Sequence, residues 1–286
     1  MRDDFAIFIL SHGRANNVLT IDTLKSVGYT GKYYIILDNE DTTREQYETI
    51  FGKDKIIVID KVESAKSFDI YDNFEGRNTV TYARNKCFSI ARELNLKYFA
   101  EFDDDYTTFE FRYEKGTTLG SSKIQDFDAV CEYMIDFLEE SNSKVVTFAQ
   151  GGDMFGGVSG NVWKTKIKRK AMNTFFFKVA EKESDYIFPG RFNEDVNAYT
   201  IYGTRGDIIL QIANIMVDQK TTQATKGGNT EAYLEYGTYI KSFYSILACP
   251  SCIKVSTLGL SNIRFHHIID WEHCVPKIIS SRFKKK

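Results

Sequence analysis

Tyr98-Phe99-Ala100-Glu101-Phe102-Asp103-Asp104-Asp105 carries an apolar run straight into three consecutive carboxylates. The apolar part has the length and content of a strand buried inside a sheet. Three acids at its carboxyl end do not stay ionised and desolvated unaided; they need a cation, basic side chains or helix N-termini. Clustered hard oxygens suit Mg²⁺, Mn²⁺ or Ca²⁺, and Mg²⁺ usually arrives with substrate phosphates. A solvated acidic turn capping the next segment would use the same residues without a metal, so both readings start from this strand end.

Upstream, residues 5–10 form a continuous apolar run followed at once by Ser11-His12-Gly13-Arg14. Helical spacing then places Val18, Ile21 and Leu24 on one face, with Gly28 as the stop. Residues 33–37 read as a second strand ending at Asp38-Asn39-Glu40, residues 44–51 as a helix and residues 56–59 as a third strand. This alternation predicts a parallel sheet. Residues 78–94 have helical period and lead into the acid strand; a helix over 124–139 and a strand over 145–149 follow. Beyond Gly151-Gly152 the pattern is less regular and more aromatic, with strands expected at 175–177 and 208–217. The fold class is α/β: a Rossmann-related open sheet, mainly parallel, with helices on both faces and an irregular C-terminal portion. No linker or repeat interrupts the chain, so residues 1–286 are expected to form a single domain with halves 1–150 and 151–286. In open parallel sheets ligands bind outside the carboxyl ends of the strands. The clusters at 11–14, 38–40 and 103–105 all fall there and are expected to converge.

Apolar residues make up 43% and aromatics 14% of the 286 residues, enough for a substantial core. The formal net charge is −2 and the pI about 6.1, which excludes a global cationic field for nucleic acid. Two local basic patches remain: Lys164, Lys166, Lys168, Arg169 and Lys170, then Arg282, Lys284, Lys285 and Lys286. Such runs are also ordinary solvated faces. Met1-Arg2-Asp3-Asp4 is unlike a signal peptide, no stretch is long enough to span a bilayer, and the five cysteines are odd in number and scattered. These features read as a cytoplasmic protein without a membrane partner. GxGxxG and GxxxxGK[ST] are both missing, which argues against dinucleotide and P-loop sites.

Further constellations each have two readings. Ser11-His12-Gly13-Arg14 opens a helix, where backbone N–H groups and a guanidinium suit a diphosphate, or where Ser11 is only a cap. Asp38 and Glu40 fit a ribose or base, or a local cap. Arg77 and Arg84 stand before and on the helix leading to the acid strand; Arg84 lies over the metal edge only if that helix starts near it. In Asn193-Glu194-Asp195 the acids open a helix, which the macrodipole favours, or supply a general base. His266-His267 suits the completion of a divalent-metal shell. Cys249 and Cys252, with His273 and Cys274, allow a zinc site as a minor alternative.

The order of these elements resembles the GT-A nucleotide-sugar glycosyltransferases. A strand ends in Ser-x-Gly-Arg, a second in Asp38-x-Glu40, and a helix begins at Ala83-Arg84-Asn85. Another strand ends in Asp103-Asp104-Asp105, and Asn193-Glu194-Asp195 opens a later helix. More narrowly, Phe192-Asn193-Glu194-Asp195-Val196-Asn197, Lys241-Ser242-Phe243-Tyr244 and Val275-Pro276-Lys277-Ile278-Ile279-Ser280 make the chain similar to phage TET-associated glycosyltransferases, linked with sugar transfer to hydroxymethylated pyrimidines in DNA. The resemblance implies a GT-A-like fold with a donor-binding first half and an acceptor-binding second half. It implies Mn²⁺ or Mg²⁺, a UDP-sugar donor and modified DNA as acceptor. It places Ser11, Gly13 and Arg14 on the donor nucleotide, Asp38 or Glu40 on its base or ribose, and Arg84 near the phosphates. Asp103 would face ribose or metal, Asp104 would belong to the donor site, Asp105 would bind metal, and His266 or His267 would be the late metal ligand. Asp195 would be the base of an inverting transfer and Glu194 would hold the acceptor. Lys164, Lys166, Lys168, Arg169 and Lys170 are the candidates for DNA contact. The alternatives are transfer to a glycan or protein, a metal-dependent nucleotidyltransferase or nuclease-like enzyme, and a non-enzymatic DNA-binding module.

Overall fold

Every residue of Phe5–Leu10 (β1) is buried, which demands hydrogen-bonded strands on both edges and a packed layer on each face. The computed structural model supplies both; it describes residues 1–153, 156–159, 163, 170–220, 229–237, 239–258 and 263–274. After β1 come Leu19–Ser26 (α1), Lys32–Asp38 (β2), Arg44–Phe51 (α2), Ile56–Ile59 (β3) and Lys61–Ala65 (α3). Thr81–Arg84 (α4), Cys87–Glu93 (α5), Tyr98–Asp103 (β4), Tyr106–Lys115 (β5), Thr118–Lys123 (β6) and Phe127–Ser141 (α6) follow. Val145–Gln150 (β7), Phe175–Lys178 (β8), Glu194–Thr204 (α7) and Ile209–Gln219 (β9) complete the main sheet and its cover. Asn229–Tyr236 (α8), Ile240–Ala248 (α9), Ile253–Leu258 (β10), Arg264–Ile269 (β11) and Trp271–Cys274 (α10) come last.

The nine-stranded sheet has the order β3-β2-β1-β4-β8-β7-β9-β5-β6. Parallel pairing runs across β3-β2-β1-β4 and recurs at β7–β9, as the sequence predicts. Antiparallel pairing joins β8 to β4 and β7, and β5 to β9 and β6. β10 and β11 form a separate hairpin. Strand periodicity splits β1 between two cores. Phe5, Ile7 and Ile9 meet α1 and α6 on one face. Ala6, Phe8 and Leu10 meet α5 and α7 on the other. Burying each such large side chain stabilises the fold by roughly 1.5–3 kcal/mol, and a Phe99–Phe177–Phe88 cluster adds ring contacts at 4.8–5.2 Å.

The helix expected over residues 78–94 is two short ones, α4 and α5, split at Asn85-Lys86. Asn85 is committed elsewhere: its amide donates to Phe188 O and accepts from Phe188 N, both at 2.8 Å. The β5–β6 hairpin after the acid triplet is not part of the sequence expectation. Its turn uses Gly116 at φ +61°. Among the described residues no helix is long and apolar enough to cross a membrane.

Candidate active site at the strand ends

The parallel register Leu10↔Asp103 and Leu10↔Ile36 brings the chain just past β1, β2 and β4 to one edge. A cleft of about 350 Å³ opens there. Ser11, Arg14 and Asp38 line it with the whole triplet Asp103-Asp104-Asp105, so the expected convergence is observed. Arg84, Glu194 and Asp195 line it as well. Gly13, Glu40, His266 and His267 do not line it.

The three aspartates have different surroundings. Asp104 is buried and committed: Ser11 Oγ donates to Oδ2 at 2.5 Å and Arg14 Nη1 to Oδ1 at 2.8 Å. Burial still raises its pKa against those two partners. Tyr47 OH braces the same turn, 2.7 Å from Ser11 Oγ and 2.8 Å from Arg14 N. Gly13 turns the backbone at φ +67°, a left-handed value that a Cβ disfavours, and its N–H donates to Asp41 at 2.8 Å. Asp103 accepts from Arg84 Nη2 at 2.8 Å. Asp105 is the member left over. Its Oδ1 is buried with no hydrogen-bond partner. Burial, then Asp103 and Asp104, push its pKa up to about 7. That orphaned oxygen suits one ligand position of a hard divalent cation, the remaining ligands coming from elsewhere than a ready-made protein shell.

Asp38 does not stand open to a ligand. His12 Nδ1 lies 2.6 Å from Oδ2 and Lys61 Nζ 3.0 Å from Oδ1. Burial opposes its ionisation, but these two partners outweigh burial and hold the carboxyl below its ordinary range. The same hydrogen bond raises the His12 pKa against burial. Glu40 is taken up by Arg77 at 2.7 Å and Lys61 at 3.4 Å. His12 and Lys61 both line the cleft; His12 belongs to the cluster at 11–14, whereas Lys61 is not singled out in the sequence.

Arg84 lines the cleft beside Asp103, committed to carboxylates there. Only 4% of its side chain is exposed, and each of its three nitrogens faces a carboxylate: Asp103 at 2.8 Å, Glu194 at 3.3 Å and Glu101 at 3.5 Å. Its guanidinium also lies over Phe175 and Phe188. Desolvation works against its charge, but the three acids keep it firmly protonated. Glu101 is wholly buried, and burial pushes its pKa up to about 8 despite Arg84. Arg84 thus ties the acid strand to the start of α7.

Asn193 adopts the left-handed conformation at φ +53° directly before α7 and is anchored through Nδ2 to Lys241 O and Ser245 Oγ. This sets Glu194 and Asp195 in the first helical turn, facing the cleft. Burial raises both acids, and Glu194 adds to the shift that takes Asp195 to about 7. His267 is buried, with Nδ1 3.2 Å from Asn193 Nδ2 and Nε2 unpartnered. Burial, then His266, Lys170 and Lys241, lower its pKa to about 3, so the imidazole is neutral. Among the described residues no three His, Cys, Asp or Glu side chains stand close enough to hold a metal ion by themselves. Asp103, Asp105, His266 and His267 are therefore not a ready-made shell, because β11 sets the histidines behind Asn193. The same holds for zinc at Cys249, Cys252, His273 and Cys274. Lys170 acts electrostatically on both Asp195 and His267. Lys164, Lys166, Lys168 and Arg169 lie outside the described residues, as do Arg282, Lys284, Lys285 and Lys286. Asn173, Gln219 and Tyr233 also line the cleft without having been singled out in the sequence.

Among solved structures, glucosyl-3-phosphoglycerate synthase from Mycobacterium tuberculosis in complex with Mn²⁺, UDP and phosphoglyceric acid is similar at TM-score 0.47 and 10% identity, over 93% of this chain and 86% of that one. The same enzyme with Mg²⁺ and UDP is similar at TM-score 0.47 and 8% identity, over 93% and 87%. A mycobacterial protein gives TM-score 0.49 and 10% identity, over 93% and 83%. No curated protein matches the sequence. Residues 5–228 match the TET-Associated Glycosyltransferase family. With most of its length so matched, the chain belongs to the TET-associated glycosyltransferases and is a glycosyltransferase.

Proposed function

We propose that this glycosyltransferase moves a sugar from a UDP-sugar to the hydroxyl of a 5-hydroxymethylpyrimidine in phage DNA, inside the host cell, with inversion and with Mn²⁺ or Mg²⁺. One observation carries the donor site: Arg84 and Arg14 answer Asp103 and Asp104, while buried Asp105 Oδ1 has no hydrogen-bond partner. A divalent cation held by Asp105, with Asp103 beside it, would supply Lewis-acid charge to the departing diphosphate. Ser11 and Arg14 present the first turn to the nucleotide, and His12 rather than Asp38 or Glu40 offers the neighbouring contact, since both acids are already engaged. The bond from the anomeric carbon to phosphate oxygen breaks and one to the acceptor oxygen forms. Asp195 takes the acceptor proton, for which a pKa of about 7 is well placed. Glu194, held by Arg84, orients the acceptor hydroxyl. Residues 1–150 serve the nucleotide part of the donor, and 151–286 hold the acceptor.

The DNA acceptor is supported by the family's association and by Lys170 near Asp195. The net charge of −2 favours a second reading, a glycan or protein acceptor. Incubation with Mn²⁺, a panel of UDP-sugars and hydroxymethylcytosine DNA, followed by mass spectrometry of the nucleosides, separates them. Added sugar mass on the modified base supports DNA. UDP release with unmodified DNA and a glycosylated glycan or protein supports the second reading, and no transfer from any donor contradicts both.

A further inference from the structure

We infer that Asn173 and Gln219 form the subsite for the transferred sugar and restrict it to a neutral, hydroxyl-rich one; this rests on the UDP-sugar reading above. Both residues line the cleft. Gln219 ends β9, and the pairing Tyr106↔Gln219 together with the bond from Lys220 N to Asp105 O at 3.3 Å pins it beside the triplet. That position is next to the expected diphosphate, where the sugar must begin. Asn173 is 1% exposed and donates through Nδ2 to Gln219 Oε1 at 3.0 Å. This bond uses the acceptor of Gln219 and the donor of Asn173. It leaves Gln219 Nε2 as a donor pair and, on Asn173 Oδ1, a second lone pair beside the long 3.5 Å contact from Thr174 Oγ1, the complement of a sugar hydroxyl that both gives and takes a proton.

The backbone around Asn173 is built for this aim. Thr174 sits at φ +52°, a left-handed value that a β-branched residue adopts only when the surroundings impose it. Three hydrogen bonds impose it here: Thr174 N donates to Tyr106 OH at 3.3 Å, Thr174 Oγ1 accepts from Phe148 N at 3.0 Å, and Oγ1 donates to Asn173 O at 2.7 Å. Strain held this way beside a cleft marks a side chain whose direction matters. The charge of the surroundings sets the class of sugar. Asp105 lies on one side of the carboxamides, Glu194 and Asp195 line the same cleft, and Arg84 and Arg14 are already spent on carboxylates. Among the described residues that line the cleft, His12 and Lys61 likewise already face Asp38, so a uronate would add another carboxylate with no lining cation left over to meet it.

Turnover is measured with Mn²⁺ and hydroxymethylcytosine DNA for the parent, Gln219→Ala and the near-isosteric Gln219→Glu and Asn173→Asp. The donors are UDP-glucose, UDP-galactose, UDP-N-acetylglucosamine, UDP-xylose and UDP-glucuronic acid, with UDP as competitive inhibitor. UDP is expected to inhibit all four proteins within about 2-fold, because the carboxamides do not touch the nucleotide. With the best neutral donor, kcat/KM is expected to fall roughly 10-fold or more in each variant, as a site built to hydrogen-bond a hydroxyl loses that contact. The parent is expected to use UDP-glucuronic acid at least ~100-fold less well. Unchanged kcat/KM in Gln219→Ala, or a parent that accepts the uronate as readily as a neutral sugar, overturns the subsite alone. A parent that UDP does not inhibit overturns the donor reading and the subsite with it.

Discussion

Replacing Arg84 by glutamine strips the cleft of the cation on which three carboxylates converge, and the outcome follows from how each acid is placed. Removing one partner of a buried ion pair costs about 3–5 kcal/mol, because the other charge is stranded. Three acids here do not triple that figure. The Asp103 side chain is 29% exposed and hydrates. Glu101, with its pKa pushed up by burial to about 8, is largely protonated at neutral pH and does not depend on a cation. Glu194, with only 9% of its side chain exposed, bears most of the loss. The cation–π contacts with Phe175 and Phe188 at 5.2 and 5.5 Å go as well. The net expectation is a loss of about 3–5 kcal/mol near pH 8. Without the guanidinium, the folded pKa values of Glu101 and Glu194, already raised by burial, rise further above their unfolded values. An acid so raised destabilises the fold increasingly as pH climbs past the unfolded value, until the folded pKa is passed. The deficit should therefore be smaller near pH 5.5 than near pH 8. Urea denaturation of the parent, Arg84→Gln and Arg84→Lys at both pH values measures it, with lysine retaining the charge but not the fork. A loss in Arg84→Gln below about 1 kcal/mol near pH 8, or one independent of pH, would refute this electrostatic picture.

Asp195→Asn should lower kcat by ~10²–10⁴ while leaving UDP affinity unchanged, read by steady-state kinetics and calorimetry. In the parent, kcat/KM should fall as pH drops below about 7, because the base acts only when ionised and burial with Glu194 sets its pKa there; a flat profile down to about pH 5 contradicts the role. Glu101→Gln should change stability by less than about 1 kcal/mol near pH 7, since glutamine mimics the protonated carboxyl, and a loss of about 3 kcal/mol in urea would mean that Glu101 is ionised and paired.

The strand ends were legible because buried runs such as residues 5–10 and 98–102 contain almost nothing polar until they reach the cleft. Asp103-Asp104-Asp105 announced a need for positive charge, and the parallel order of the first strands was enough to bring it to Ser11 and Arg14. The assignment of partners was not legible. Which acid receives Arg84, which receives Arg14, and which is left over depends on tertiary contacts, some across 90 or more residues, such as Arg14 to Asp104 and Arg84 to Glu194. Nothing local singles out Lys61, whose side chain is 4% exposed between Asp38 and Glu40. Glu101 stood in plain view inside the apolar run, and only the packing of Arg84 against it shows why a carboxyl sits there. The strained turn at Thr174 has no local signature at all, because long-range bonds to Tyr106 and Phe148 impose it.

Calorimetric titration of UDP into the parent and Asp105→Asn, each with Mn²⁺ and with EDTA, isolates the role of the unpartnered aspartate. The parent should bind UDP at least ~10-fold more tightly with Mn²⁺ than with EDTA, a difference of about 1.4 kcal/mol, and Asp105→Asn should show no such gain. Equal Mn²⁺-dependent affinity in the two proteins would contradict a metal-bearing donor site at the acid triplet.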